Sequence, residues 1–190
     1  MQKMNTKNAP KGAKMLAAAG VLIAMNIILS RVFAIPIGNT LRVSVSATPI
    51  FLAGLWFGPL VGGLCGAVSD IIGCILQGFA PNPFIFVTSV LNGVIPALML
   101  RYLFKNKLNF GKVLLIVLAH GIIGGLGFTT VGLHIYYGTP WSVLYASRTI
   151  QTAALVAANS VLVNLLYTSP LTNFVTRNFF TIPATARKQG

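Results

Sequence analysis

Long apolar runs alternate with short polar breaks along the chain, and the length of the runs sets the element count. A helix that crosses a bilayer needs about 20 apolar residues, within roughly 17–25. Six runs reach or approach that length, at about 15–33, 45–57, 59–76, 84–103, 113–135 and 147–167. The second is short, so it is expected to tilt or to begin inside the preceding loop. Phe57-Gly58-Pro59 divides the second run from the third. Proline suits the first turn of a helix, where its missing N–H had no partner to lose. The pattern predicts an all-α integral membrane protein, a compact bundle of six transmembrane helices.

Composition and charge sharpen this reading. Of 190 residues, 55% are apolar and 8% charged, against roughly 25% charged in a soluble domain. Such a chain is neither a soluble enzyme nor disordered. It holds 14 Lys and Arg against a single acid, Asp70, for a net charge of +13. The bases do not line one face, as a nucleic-acid surface would require. They cluster between apolar runs, which is how membrane topology is written.

Lys3, Lys7, Lys11 and Lys14 precede the first run; Arg101, Lys105, Lys107 and Lys112 follow the fourth; Arg177, Arg187 and Lys188 follow the sixth. With an even number of spans these segments share one side. The positive-inside rule makes that side cytoplasmic, so both termini are expected there, in a multi-pass protein of a prokaryotic-type cell membrane. The first run follows basic residues as a secretory signal does, but it is longer than a usual signal core and is expected to be retained. The expected layout is a basic cytoplasmic tail over 1–12, a six-helix transmembrane unit over 13–180 and a second cytoplasmic tail over 181–190. Arg31, Arg42 and Arg148 are left on the outer side, with no topological reason to be there.

Small residues recur every fourth position. The third run reads Gly58-x-x-x-Gly62-x-x-x-Gly66-x-x-x-Asp70, and residues four apart stack on one helix face. Gly93 and Ala97 repeat the spacing in the fourth run, Gly121 and Gly125 in the fifth. Glycine lets helix backbones approach closely in lipid, so these stripes are expected to pack the bundle. Ala13, Ala17, Gly20 and Ala24 mark the first run in the same way, where the alternative is a docking strip for another membrane protein.

An ionised carboxylate facing hydrocarbon costs several kcal/mol. Asp70 must therefore be paired, neutral or beside a wet cavity. One reading is an ion pair with Arg31 or Arg42; the other is an acceptor for N–H donors of a ligand. Further polar and aromatic residues gather at the predicted outer ends, among them Asn39, Gln77, Phe79, Asn82, Phe84, His134, Tyr136, Tyr137, Trp141 and Tyr145. The sixth run adds Arg148, Gln151, Thr152 and Asn159, and positions 148, 152, 155 and 159 share a face. Interfacial aromatics are expected as a belt, but a belt does not explain three arginines with one acid among them. Arginine grips carboxylates through a planar fork. An outward pocket for an anion carrying a flat ring follows.

No G-x-x-x-x-G-K-[ST] loop, H-E-x-x-H helix or G-x-S-x-G elbow is present, and no second acid could work with Asp70. An enzyme is therefore not expected, nor a cofactor, nor a metal. Cys65 and Cys74 lack ligand spacing and are expected as free thiols. His120 is expected as a hydrogen-bonded interior residue.

The succession Leu29-Ser30-Arg31-Val32-Phe33, Leu41-Arg42-Val43-Ser44, Pro49-Ile50-Phe51-Leu52-Ala53-Gly54, Phe57-Gly58-Pro59-Leu60-Val61-Gly62-Gly63 and Gly66-Ala67-Val68-Ser69-Asp70-Ile71-Ile72-Gly73 resembles the substrate-binding (S) components of energy-coupling factor (ECF) transporters. It is most similar to their folate branch, over about 13–171. The resemblance implies a six-helix bundle that captures a vitamin from outside. It also implies a membrane coupling subunit (T component) and two ABC-type ATPases as partners, besides the lipid bilayer. In the family, alanines four apart on the first helix contact that partner; Gly20 and Ala24 hold the matching place, so Ala13, Ala17, Gly20 and Ala24 are the docking candidates.

A folate or reduced folate is the implied ligand. Its carboxylates would meet arginines, its pterin N–H groups Asp70 or Asn92, and its rings Phe84, Tyr136 or Trp141. The candidate binding residues are thus Arg31, Arg42, Asp70, Asn82, Phe84, Asn92, Tyr136, Trp141, Arg148, Gln151 and Asn159. Pantothenate, a pyrimidine or thiazole precursor, and a cobalamin- or queuosine-related molecule are alternatives within the class. A stand-alone secondary carrier is the alternative outside it.

Overall fold

Glycine and proline mark most of the breaks that divide the apolar sequence into helices, at Gly58-Pro59, at Gly78 with Pro81 and Pro83, and at Gly138 with Pro140. The computed structural model describes residues 12–32, 35–37, 41–78 and 80–179. Asn39, Phe79 and most of both tails lie outside the described residues, and of Arg42 only the backbone is described.

Helix α1 spans Gly12–Val32, α2 Ala47–Phe57 and α3 Pro59–Gln77. Gly58, at φ +99°, turns the chain between α2 and α3 in a conformation open to glycine, and Pro59 opens α3. Gly78 closes α3 in the left-handed conformation, its N–H bonded back to the Cys74 and Ile75 carbonyls. Helix α4, Pro83–Leu98, starts on an Asn82 cap and runs into a π-helical turn at Met99–Leu103. Pro96 inside it has no N–H for the Asn92 carbonyl. The next crossing is α5 (Phe110–His120), a π-helical stretch (Gly121–Thr129) and α6 (Thr130–Tyr137) in one run. Helix α7 covers Trp141–Thr168 and α8 Pro170–Phe179.

Five of these runs are long and apolar enough to span a bilayer, with α2 as a shorter sixth. At 11 residues α2 is about 16 Å long, roughly half the hydrocarbon thickness of about 30 Å. It needs no lipid-facing side, because Thr48 through Phe57 are all buried. The other helices turn aliphatic side chains outward, among them Leu16, Leu64, Ile75, Leu118, Ile122 and Leu165. That inversion suits a chain whose solvent is lipid.

Three elements depart from the expectation. The first predicted outer loop contains a hairpin, β1 (Ile35–Ile37) antiparallel to β2 (Leu41–Val43), with Pro36 opposite Arg42. The last crossing starts six residues earlier than predicted, because Trp141 and Tyr145 pack as helix rather than loop. Helix α8 was not anticipated. It is held through Val175, which is buried, and through Trp56 Nε1, which donates to Thr172 Oγ1 at 3.1 Å.

The glycine stripe of α3 packs inside the molecule, as expected. A Cβ on Gly62 would stand 2.6 Å from Gly54 Cα and 2.8 Å from the Gly93 oxygen. On Gly66 it would strike the Ser89 carbonyl, and on Gly93 the Gly62 backbone. Helices α2, α3 and α4 therefore touch backbone to backbone. Gly121 meets Thr152 and Val156 of α7. On α1 the pattern points elsewhere: Ala19 and Leu22 are buried, whereas Ala13, Ala17, Gly20 and Ala24 are all exposed.

Candidate functional site

Polar residues of α1, α3 and α4 converge on a cavity of about 340 Å³ at the hairpin end of the bundle. Cavities for small molecules typically measure about 300–1,000 Å³. From α3 come Gly66, Ser69, Asp70, Gly73, Cys74 and Gln77; from α4 come Ile85, Ser89 and Asn92. Each set shares one helix face, since steps of three and four residues return to the same side. Asn26 and Ser30 of α1, Ser46, Ala47, Ile50, Ala80, Asn82 and Tyr137 complete the wall.

Most of these groups hold one another. Asn26 Nδ2 donates to the Ser46 carbonyl at 2.6 Å, and Ser89 Oγ donates to Asp70 Oδ1 at 2.9 Å. Asn82 is fully engaged: its Oδ1 accepts from Phe84 N at 3.0 Å and its Nδ2 donates to the Gly132 carbonyl at 3.2 Å. Three atoms are left over. Ser69 Oγ, Asp70 Oδ2 and Asn92 Oδ1 are buried and have no hydrogen-bond partner in the protein. An unsatisfied buried polar group costs about 1–3 kcal/mol, and here three such groups line one hollow.

Among the described residues Asp70 forms no ion pair, and the Arg42 side chain weighed as one partner lies outside them. Arg31 instead donates from Nη2 to the Gly73 carbonyl at 2.7 Å, its Nε buried without a partner. Gly73 lines the cavity, so this guanidinium sits at the cavity's edge.

Of the predicted residues, Asp70, Asn82 and Asn92 come together around the cavity, with Arg31 beside it. Phe84 and Tyr136 form an edge-on ring pair at 6.5 Å. Trp141 stacks between His134 and Tyr145, at 4.2 and 5.8 Å. Asn159 lies apart: it accepts from Thr48 Oγ1 at 2.8 Å, donates to the Leu155 carbonyl at 2.9 Å, and lines a second, smaller cavity. Arg148 and Gln151 are half-buried on α7. Backbone pairing places Arg42 in β2, and β2 packs against α7.

Ser69, Ser89 and Asn26 were missed. Asn26 could have been found, as an amide in the middle of an apolar helix. His120 is interior as expected, its ring edge-on to Phe51 and its Nε2 3.4 Å from the Thr88 carbonyl. Cys65 and Cys74 are free thiols.

Residues 14–183 match the family described as ECF transporter, substrate-specific component. The chain belongs to this family. It is 26% identical over 151 residues to "Folate transporter FolT" of Clostridium novyi (strain NT), covering 75% of this chain and 81% of the relative. To "Folate transporter FolT" of Leuconostoc mesenteroides subsp. mesenteroides it is 30% identical over 122 residues, 63% of each chain. Among solved structures, FolT bound with folic acid superposes with a TM-score of 0.68 at 27% identity, over 84% of this chain and 93% of that one. The S component for biotin shares the fold, with a TM-score of 0.61 at 18% identity, over 94% and 93%. This S component is a multi-pass cell-membrane protein, a transporter subunit rather than an enzyme or a stand-alone carrier.

Proposed function

We propose that this S component captures folate, or a reduced folate, for uptake driven by ATP hydrolysis on partner subunits. The observation that carries this reading is the trio Ser69 Oγ, Asp70 Oδ2 and Asn92 Oδ1 around one cavity. Two of the three can only accept, so the matching ligand must donate. A pterin ring does so, through an amino group and adjacent ring nitrogens. Arg31, Arg42 and Arg148 suit the two carboxylates at folate's other end. The Phe84–Tyr136 pair, next in sequence to the wall residue Tyr137, supplies aromatic surface, whereas Trp141 is already stacked between His134 and Tyr145. Asn82 holds the cavity wall, while Asn159 lines the second, smaller cavity and Gln151 lies on the same helix, α7. The FolT relatives support folate over other vitamins. The unit over 13–180 binds the vitamin, and the open strip Ala13, Ala17, Gly20 and Ala24 receives the T component, which links it to two ABC-type ATPases.

Titration of the detergent-purified chain with folic acid, biotin, pantothenate and thiamine tests the ligand. Folic acid should bind tightest, and Asp70→Asn should weaken it roughly 10- to 100-fold by loss of a charge-assisted hydrogen bond. Unchanged affinity in that variant defeats the assignment, and tighter binding of another vitamin replaces folate. In sealed vesicles folate should accumulate only when the T component and ATPases are added.

A further inference from the structure

Two cavities share one lining residue. Ala47, the first residue of α2, lines both the cavity described above and a second of about 80 Å³. The second is several times the roughly 10–15 Å³ that a single water requires, so it can hold part of a ligand. Its chemistry is opposite to that of the first. Phe51, Val117, Leu155 and Val156 wall it, and its one amide, Asn159, already has its oxygen and its nitrogen engaged.

Two arginine positions stand close in sequence to the lining of this apolar slot. Thr152, Leu155 and Asn159 line it from α7, and Arg148 is one turn before Thr152 on the same face. Ser44 lines it from the other side, two residues after Arg42 in the strand that packs on α7. Hydrogen-bond acceptors, with Arg31 at their edge, therefore lie on one side of Ala47, and a small apolar cavity whose α7 wall stands one turn from Arg148 lies on the other.

We propose that the two cavities are compartments of a single site for an elongated, bipolar ligand, with the Ala47 methyl as the divide. The larger compartment takes the donor-bearing ring, the smaller passes the linker toward Arg148, and the size of residue 47 decides whether a ligand longer than the ring is accepted. This rests on the folate reading, which supplies a ring at one end and carboxylates at the other.

The test uses two probes, folic acid and bare pterin, on the full chain. A larger residue at 47 fills the divide without altering Ser69, Asp70 or Asn92. Ala47→Leu should weaken folic acid roughly 10- to 100-fold, the range that overpacking produces. Leu155→Phe, which fills the slot from α7 and lies outside the larger cavity's wall, should weaken folic acid in the same direction. Pterin, confined to the larger compartment, should change by less than about threefold in Leu155→Phe, which also reports that the variant is folded. Folic acid unaffected by both substitutions overturns the division at Ala47, as does equal loss of both probes in Leu155→Phe. Failure of the wild-type chain to bind either probe instead overturns the folate reading and the division together.

Discussion

The same spacing of small residues occurs twice in this bundle, with opposite outcomes. On α3, Gly62 and Gly66 are buried against Gly54, Gly93 and the Ser89 carbonyl, leaving no room for a side chain. On α1, a Cβ at Gly20 would meet nothing within 4 Å, and Ala13, Ala17 and Ala24 are likewise exposed. Lipid tails are as apolar as leucine, so helices in a membrane gain by close packing rather than by escape from solvent. The closed seam has its partner within the chain. The open strip has the same chemistry and no partner among the described residues, and the family to which the chain belongs works as part of a larger transporter. A small-residue stripe thus says that something packs closely. Only the tertiary structure tells whether the partner is internal.

Alanine substitution should separate the two regions most sharply. In Gly93→Ala the new methyl would lie against the Gly62 backbone, with Gly62 Cα 2.6 Å away. No rotamer relieves a clash with backbone, so α3 and α4 must separate. The cost should exceed about 3 kcal/mol, the upper part of the overpacking range. Thermal unfolding in detergent should show a large fall in midpoint or no folded protein at all. A midpoint within a few degrees of wild type, roughly the shift that 1 kcal/mol gives a chain this long, would mean that the seam is not closed.

How much of this was legible in the sequence follows the same division. Gly58-Pro59 and Asn82-Pro83 declare where helices begin, so the third and fourth spans were placed within a residue or two. Helix α2 was read as a short span, but hydropathy does not separate a helix buried in protein from one facing lipid, and its full burial was invisible. The hairpin was hidden by Pro36, a residue that argues against strands. The start of α7 was hidden by Trp141 and Tyr145, which read equally well as an interfacial belt. At the site, Asp70 stood out as the lone acid in an apolar run and Asn82 as a polar residue at an outer end, whereas Asn92 entered only through the resemblance to the folate branch. Ser69 and Ser89 did not stand out, because serine in a helix commonly bonds its own backbone and announces nothing. The π-helical stretch Gly121–Thr129 keeps nearly the same apolar pattern as an α-helix, so no periodicity marked it.

A bulky residue on the strip should affect transport and leave binding alone. In Gly20→Leu the side chain projects into open space, so the folded chain and its cavity are untouched. Close approach of the T component is prevented. ATP-driven folate uptake in vesicles should fall at least about tenfold, while folic acid affinity of the isolated chain stays within about twofold. Normal uptake in this variant would remove α1 as the docking face. Loss of binding would mean that α1 shapes the pocket through its exposed side as well as through Asn26 and Ser30.

The smallest effect is the most discriminating, because its sign reverses between the regions. Gly20→Ala places a methyl where none is resisted and removes a glycine from the interior of α1. Glycine costs about 1 kcal/mol relative to alanine inside a helix, so the variant should be slightly more stable than wild type. The added methyl also keeps the strip as flat as its neighbours Ala17 and Ala24, so uptake should persist. The same chemical change at Gly93 is expected to unfold the protein. If Gly20→Ala instead destabilises the isolated chain, Gly20 is packed against something within it, and the contrast between a closed seam and an open strip fails at the strip.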